Sequence, residues 1–161
     1  MRVYVAQNAP FTLIHDSWQA RSRALAALDP AEGRRQAEVI LAKVLSNRKP
    51  PYGLAGGVFD VLEASGGDTF TCTNDDIVFW LLQFRNLEGY DLLPAPCAAV
   101  AALAQAVGDG HVGKDECIML NCTGGGTLAS MAKGFVLKEP DLVLDPELPA
   151  EEVIAAVRSL F

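Results

Sequence analysis

Positive charge is scarce in this 161-residue sequence. Its 13 lysine and arginine residues stand against 20 aspartate and glutamate residues, which gives a net charge of −7 and an isoelectric point near 4.7. Nucleic acids and anionic membranes are bound by clustered lysine and arginine side chains. The arginines here are interleaved with alanine and leucine in segments that we predict to be helical. The composition therefore argues against both kinds of partner.

A long apolar run is also missing. The longest stretch without a charged side chain lies between Asp91 and Asp109, and it contains Pro94, Pro96 and Gln105. It falls short of the ~20 apolar residues that a transmembrane helix needs. The sequence does not open with a basic segment followed by an apolar one, as a secretory signal does. We therefore expect a cytoplasmic protein without a membrane span.

Metal-ligand and disulfide patterns are missing as well. The chain has only two histidines, and its four cysteines form no Cys-x-x-Cys pair: Cys72, Cys97, Cys117 and Cys122. A zinc site requires several such ligands at short, regular spacing. We predict no metal site and four reduced cysteines within the core.

Apolar side chains, by contrast, are abundant. Half of the residues are hydrophobic and the mean hydropathy is +0.20, which is high for a soluble chain. The length supports one sizeable core, so we predict a single domain over residues 1–161. The apolar excess suggests a surface that is shared with another chain.

The predicted elements follow the order of an α/β fold. Strands are predicted over residues 2–6, 68–72 and 116–122, and helices over 17–28, 29–45, 58–64, 73–88, 94–107 and 149–160. Asp29 and Thr73 are typical helix-capping residues and Gly89 is a typical helix end. Asp75 and Asp76 fit the first turn of a helix better than a catalytic carboxylate pair. The alternation of helices and strands predicts a mainly parallel sheet flanked by helices.

Three segments carry the candidate functional groups. Residues 46–57 are rich in turn formers and predict a loop. Residues 123–126, Thr-Gly-Gly-Gly, match neither a phosphate-binding P-loop nor a Gly-x-Gly-x-x-Gly turn. These glycines either let the backbone approach a flat or anionic ligand or supply positive φ angles. Gln7 and Asn8 end the first predicted strand, where α/β folds place ligands, or else they cap the following turn.

Five segments, in order, resemble one enzyme family. They are Ala6–Phe11, Leu45–Gly53, Gly56–Asp60, Glu88–Asp91 with Pro94–Ala95, and Leu120–Gly126. Together they resemble the C-terminal part of cysteate synthases, threonine-synthase-like enzymes of the fold type II pyridoxal-phosphate (PLP) class. The resemblance covers roughly residues 3 to 126. It implies part of the large domain of a tryptophan synthase β-like fold, with a mainly parallel sheet.

The resemblance also implies a cofactor site. The hydroxyl of Thr123 would face the pyridine nitrogen of PLP, and Gly124, Gly125 and Gly126 would let the backbone turn beside the ring. A neutral hydroxyl does not enforce protonation of that nitrogen, as a carboxylate would. Such tuning of a cofactor by the protein suits elimination and replacement at Cβ.

The predicted substrate-binding residues lie in the other two segments. Arg48 offers a fork of donors to a phosphate or carboxylate, and Tyr52 offers a stacking surface with a polar tip. Asn47, Gln7 and Asn8 complete the set. The alternative for Arg48 is that it only ties down the proline-rich loop.

One departure from the family limits what this chain can do. The family holds PLP through a lysine in a Ser-x-Lys-type segment of its N-terminal part and binds the cofactor phosphate with a separate glycine-rich loop there. None of the five lysines here lies in such a segment: Lys43, Lys49, Lys114, Lys133 and Lys138. We therefore predict no catalytic residue in this chain. Leu93 stands where many fold type II enzymes carry a glutamate, and the cysteate-synthase-like branch shares an apolar residue there.

The leading hypothesis is a split PLP enzyme. In it this chain, starting at its own Met1, is the C-terminal subunit, and an N-terminal-half partner supplies the lysine and the phosphate loop. The assembled enzyme would replace or eliminate a phosphate group of a small amino acid, and the resemblance implies O-phosphoserine and sulfite. Sulfide or water as acceptor, and threonine-synthase-like activity on O-phosphohomoserine, stay open. The competing hypotheses are a non-catalytic binding or scaffolding subunit and a truncation without independent function.

Overall fold

The structure is a computed structural model that describes residues 1–136 and 138–161. Its contacts divide the chain into two compact units, Met1–Ala129 and Ser130–Phe161. The first unit contains strands β1 (Tyr4–Asn8) and β2 (Asp68–Cys72) and helices α1 (Leu13–Gln19), α2 (Pro30–Val39), α3 (Val58–Ser65), α4 (Asn74–Glu88) and α5 (Pro94–Gly108). Helix α6 (Thr127–Ala132) crosses the boundary, and α7 (Ala150–Arg158) lies in the second unit. The single domain over residues 1–161 stays a prediction.

The two strands form a parallel pair. Tyr4 lies opposite Asp68, and Asn8 lies opposite Cys72. Helix α5 packs against both strands on one face, and α1 packs against β2. The α/β character and the parallel pairing that we predicted are thus confirmed.

The core of the first unit consists of three groups of buried side chains. The largest, which we call the central cluster, lies between the two strands, α4 and α5 and contains Ala42, Cys72, Ile77, Leu92, Cys97, Ala98, Val100 and Ala101. A second group joins Phe70 to the last turns of α5. A third joins Phe11, Leu13 and Ile40.

Local caps form where the sequence predicts them. The Asp29 side chain accepts from the backbone N–H groups of Ala31 and Glu32, both at 3.0 Å, at the start of α2. Thr73 and Asp76 form a reciprocal capping box at the start of α4. Gly89 ends α4 with φ +69, a left-handed conformation that glycine adopts without strain.

Two predicted helices are wrong in their extent. The helix predicted over residues 17–28 is α1, which ends at Gln19. There the Ser17 hydroxyl donates to Leu13 O at 2.6 Å and accepts from Ala26 N at 2.8 Å, which holds the following chain in a turn. Side-chain groups of this kind compete with the helical backbone ladder.

The helix predicted over residues 29–45 ends early for a long-range reason. Asn74 Nδ2 donates to Val39 O at 2.8 Å, and Asn74 Oδ1 accepts from Leu41 N at 3.0 Å. Ile40 is extended, with ψ 145. Hydrogen bonds from a residue more than 30 positions away therefore replace the last turns of the predicted helix, and only a short 3-10 turn, Lys43–Leu45, follows.

The third predicted strand is wrong. Residues 116–122 form no strand, and the backbone of residues 117–123 makes no hydrogen bond within the described chain. Ile118 and Met119 are 48% and 89% exposed. A strand requires a neighbouring strand to satisfy its backbone groups, and none lies beside this segment.

The cysteine prediction is half right. Cys72 and Cys97 are buried, whereas Cys117 and Cys122 are exposed. Burial raises the pKa of the Cys72 thiol to about 12 and that of the Cys97 thiol to about 11. The two buried thiols are therefore protonated at neutral pH and poor nucleophiles.

Among the described residues, no helix combines the length and apolar character that a bilayer crossing requires.

Removing the Thr73 hydroxyl tests the cap of α4. Thr73 Oγ1 accepts from Asp76 N at 3.1 Å and donates to Asp76 Oδ2 at 2.7 Å. We expect Thr73→Ala to lower the free energy of unfolding by about 1 kcal/mol at neutral pH, measured by urea denaturation. Thr73→Ser, which keeps the hydroxyl, should lose much less.

The effect of Thr73→Ala should also depend on pH. Hydrogen bonds from the Thr73 backbone and side chain lower the pKa of Asp76. A carboxyl group with a lowered folded-state pKa stabilises the fold above its unfolded pKa, and this contribution is lost as pH falls through the folded value. The deficit of the alanine variant should therefore shrink below pH ~4. An equal deficit at neutral and strongly acidic pH would contradict this account.

Candidate functional site

The glycine turn at residues 123–126 lies against the chain that leaves α4. Gly126 N donates to Asp91 O at 2.7 Å, and Leu93 N donates to Gly124 O at 3.3 Å, on either side of an antiparallel bridge between Leu92 and Gly125. Residues 90–93 therefore hold the turn in place from one side.

Close packing explains why the turn uses glycine. A Cβ atom on Gly125 would overlap the carbonyl oxygen of Asp91, and one on Gly126 would overlap the Tyr90 hydroxyl. Gly126 also has φ +74. The sequence left two roles open for these glycines, approach to a ligand or positive φ angles. The structure shows the second. Their role beside a cofactor stays a prediction.

Asp91 is the residue that sequence reasoning missed. It is 9% exposed, and its carboxylate Oδ2 accepts from Leu128 N at 3.1 Å, while its backbone oxygen holds Gly126. One residue therefore holds the end of the turn, at Gly126, and the first turn of α6, at Leu128. The signal was present, because Glu88–Asp91 is one of the five family-like segments.

Thr123 itself is exposed, and its hydroxyl makes no hydrogen bond to any described residue. An open cavity of about 440 Å³ is lined by its neighbours Cys122, Gly124 and Gly125 and by residues of α4 and the following segment, among them Phe84 and Tyr90, whereas Thr123 itself is not among the lining residues. An exposed hydroxyl that no described residue engages can donate to, or accept from, a ligand atom.

This donor set fits one side of PLP. An exposed hydroxyl such as that of Thr123 is a group that could face a ring nitrogen, as the resemblance implies. Within the first unit, Lys43 Nζ donates to the carbonyls of Ala37 and Glu38, and within the second unit, Lys138 pairs with Asp141. Lys49, Lys114 and Lys133 lie on the exposed surface.

Asn8 is fully buried at the carboxyl end of β1. Its Nδ2 lies 3.1 Å from Cys72 O, 3.2 Å from Ala9 O and 3.2 Å from Asn74 Oδ1, and its Oδ1 accepts from Ala42 N at 3.1 Å. Through these contacts the Asn8 side chain links β1 to the end of β2, to the start of α4 and to the segment that follows α2.

Gln7 is 5% exposed, and its Oε1 accepts from His15 N at 2.8 Å, in the first turns of α1. The structure therefore shows for Gln7 and Asn8 the bonding to neighbouring backbone that was their alternative role. Substrate binding by either side chain stays a prediction.

The loop predicted over residues 46–57 is confirmed, and its candidate residues differ in environment. Tyr52 is 1% exposed, its hydroxyl donates to Ser22 O at 3.0 Å, and its ring meets Phe59 edge to face at 5.8 Å. Burial raises the pKa of Tyr52. The Tyr52 side chain is packed inside the protein against Ser22 and Phe59, so a stacking contact with substrate would require the loop to move.

Arg48 differs from the other predicted substrate-binding residues because its side chain makes no hydrogen bond to a described residue. It is exposed, and no carboxylate or carbonyl among the described residues pairs with its guanidinium. Neighbouring Asn47 is occupied, because its Oδ1 accepts from Lys49 N at 3.0 Å and so tightens the turn. The alternative in which Arg48 ties down the loop by hydrogen bonds finds no support in these contacts.

The central cluster brings the three candidate segments to one end of the sheet. Leu45, just before the loop, and Leu120, just before the glycine turn, both pack against this cluster. Asn8 reaches the same place through Ala42 N. The carboxyl ends of the parallel strands are where ligands bind in open α/β sheets. Tyr52 is held apart from this arrangement by Ser22 and Phe59.

Comparison with known proteins adds independent evidence. No protein-family model matches the chain. A cysteate synthase of Methanocella paludicola is 38% identical over 161 residues, which covers 98% of this chain and 37% of that protein. Cysteate synthases of Methanosarcina barkeri and Methanoregula boonei are 37% and 42% identical, over 89% and 78% of this chain and over 37% and 30% of theirs. The predicted resemblance is confirmed, and the chain spans little more than a third of the length of these relatives.

A methyl group at Gly125 tests whether close packing requires glycine in the turn. We expect Gly125→Ala to lower the free energy of unfolding by about 2 kcal/mol, because its Cβ would push the turn away from Asp91. Gly108→Ala is the control, since no atom lies within 4 Å of a Cβ there. The control should be neutral or slightly stabilising in thermal unfolding. Equal stability of the two variants would contradict the packing account.

Proposed function

We propose that this chain, which is similar along most of its length to cysteate synthases, is the C-terminal part of a PLP-dependent enzyme of fold type II. In this proposal a lysine-bearing N-terminal polypeptide completes the site. The observation that carries the proposal is the 35–42% identity of the cysteate synthases, combined with a free Thr123 hydroxyl on a turn that is fixed by Asp91.

The proposed reaction replaces the phosphate group of O-phosphoserine with sulfite. The bond between Cβ and the phosphate oxygen breaks, phosphate leaves with the electron pair, and a lone pair on the sulfur of sulfite forms the new bond to Cβ. When bound, PLP supplies an electron-accepting ring that stabilises negative charge at Cα of the amino acid.

The residues of this chain would orient and tune that chemistry. Thr123 would face the ring nitrogen with a neutral hydroxyl and leave it without enforced protonation. Asp91 would act as a positioning residue, because it holds the carboxyl end of the turn at Gly126 and the following residue Leu128. Arg48 would bind an anionic group of the substrate with its guanidinium fork.

The proposed partner follows from the lysines. None of the five lies in the Ser-x-Lys-type segment that the family uses, so in this proposal the covalent link to PLP and the loop that binds the cofactor phosphate come from the remainder of the enzyme. That remainder corresponds to the larger share of each relative, because this chain spans 37% of the Methanosarcina barkeri protein.

A non-catalytic binding or scaffolding role is the second candidate. The burial of Asn8 and Tyr52 favours it, because both side chains already have protein partners. In that case the glycine turn would persist only because residues 90–93 pack against it. Threonine-synthase-like activity on O-phosphohomoserine is a variant of the first proposal, with the same cofactor and a longer substrate.

Co-expression with a lysine-bearing N-terminal half tests the proposed function. We expect a complex that contains PLP and absorbs in the visible region. Thr123→Ala should leave the cofactor bound but shift that absorption and lower the rate by about tenfold or more, since one hydrogen bond to the ring is lost. Thr123→Ser should restore the wild-type spectrum. A colourless pair of polypeptides that do not associate would refute the proposal.

Removing the Arg48 guanidinium tests substrate recognition in the assembled enzyme. We expect Arg48→Ala to raise KM for the phosphorylated amino acid about tenfold or more, because a charge-assisted hydrogen bond is lost. The matched control is Lys49→Ala, which removes the adjacent positive charge and should change KM little. Equal effects of the two variants would show that the loop acts only through its overall charge.

A further inference from the structure

Helix α2 contains a glycine that its backbone conformation does not require. Gly33 N donates to Asp29 O at 2.8 Å, as in a regular helix, and Gly33 is not among the residues with positive φ. Glycine in the middle of a helix is less stable than alanine, because its backbone loses more freedom on folding. Gly33 is buried, whereas its neighbours Glu32 and Arg34 are not. The reason for the glycine therefore lies in its surroundings.

Two side chains occupy the space beside Gly33. A Cβ atom there would lie 2.9 Å from Leu28 Cδ2 and 3.3 Å from Arg48 Cδ. Leu28 belongs to the core, because it packs against the buried group around Phe11. Arg48 comes from the loop over residues 46–57. Its methylene stem thus lies against α2 at the point where α2 has no side chain.

The carboxylates of α2 leave the Arg48 guanidinium unpaired. Asp29 Oδ1 accepts from two backbone N–H groups at the start of the helix. The Glu32 carboxylate accepts from Arg35 and Gln36. Each carboxylate is therefore engaged within its own helix, and no described residue bonds to the guanidinium. Arg48 combines a packed stem with a cationic group that is available to a ligand.

The backbone around Arg48 is restrained as well. Asn47 Oδ1 accepts from Lys49 N at 3.0 Å, and two prolines follow at positions 50 and 51. Proline rings fix φ. An arginine side chain normally loses much rotamer freedom when it binds a ligand. Restraint that is already present in the free protein lowers this cost and strengthens binding.

We propose that Gly33 is a positioning residue that holds Arg48 in place for the anionic group of the substrate. This inference rests on the proposed function, in which Arg48 binds a phosphorylated amino acid, and extends it to a residue that does not touch the substrate. A side chain at position 33 would push the Arg48 stem away from α2 and displace the guanidinium. The substrate would then bind more weakly, while Thr123 and the glycine turn would stay in place.

Substitution of Gly33 in the complex with the lysine-bearing N-terminal half tests this role. We expect Gly33→Ala to raise KM for O-phosphoserine about threefold and Gly33→Leu about tenfold, because the displacement of Arg48 grows with side-chain size. The value of kcat should change less than about twofold, as expected when only substrate binding is lost. Gly33→Ala, the smaller change, decides the question if Gly33→Leu does not fold.

Gly108→Ala on α5 is the matched control, since no atom lies within 4 Å of a Cβ there. It should leave KM and kcat as in the wild-type enzyme. A purely structural effect of Gly33 would lower the amount of active enzyme, and so the apparent kcat, without raising KM.

Combination with Arg48→Ala shows whether the effect passes through Arg48. In that background, Gly33→Ala and Gly33→Leu should raise KM no further, because the side chain that they displace is already absent. A further rise of the same size would show that position 33 acts through Leu28 and the core, and it would overturn the inference.

NMR relaxation of the isolated chain measures the restraint without the partner. The order parameter of the Arg48 Nε–H group should exceed that of Arg85, an exposed arginine on α4. Gly33→Leu should lower the Arg48 value to that of Arg85, because the stem loses its contact with α2. Equal order parameters for the two arginines in the wild-type chain would overturn the inference.

The outcomes separate this inference from the proposed function. An active, PLP-containing complex in which the Gly33 variants keep the wild-type KM would overturn the positioning role and leave the proposed function intact. Two polypeptides that do not assemble would refute the proposed function and, with it, the role of Gly33 in substrate binding, even if Arg48 proves ordered in the isolated chain.

Discussion

The carboxamide of Asn8 is the interaction on which the first unit depends most. This buried side chain reaches the end of β2, the start of α4 and the segment after α2 at the same time. A polar group without exposure is tolerated only when its hydrogen bonds are made, and here both its oxygen and its nitrogen have partners. The side-chain amide of Asn8 therefore holds together the segments at the carboxyl end of the sheet.

The glycine turn at residues 123–126 also depends on the hydrogen bonds of one residue, Asp91. Asp91 uses its backbone and its carboxylate to hold the end of the turn and the residues that follow it, and the absence of side chains at Gly125 and Gly126 lets the two segments come together. Thr123 comes directly before this contact and does not lie in a regular strand. The glycines thus have a structural cause within the chain, whatever ligand the turn also serves.

The two edges of the two-stranded sheet differ. One edge is closed by Gln105 and Asp68, while at the other edge no described residue bonds to the outward backbone groups of Tyr4 and Ala6. Ile118 and Met119 are exposed.

The sequence by itself determined the features whose causes are local. The caps at Asp29 and Thr73 and the stop at Gly89 act within one helical turn, and β1 and β2 follow from short alternating patterns, so all were predictable. Only the tertiary structure decided the rest. Asn74 ends α2 through hydrogen bonds across more than 30 positions, Tyr52 is buried by Ser22 and Phe59, and Asp91 fixes the glycine turn. Residues 116–122 have a strand-like sequence but no strand structure, because a strand exists only when another segment satisfies its backbone.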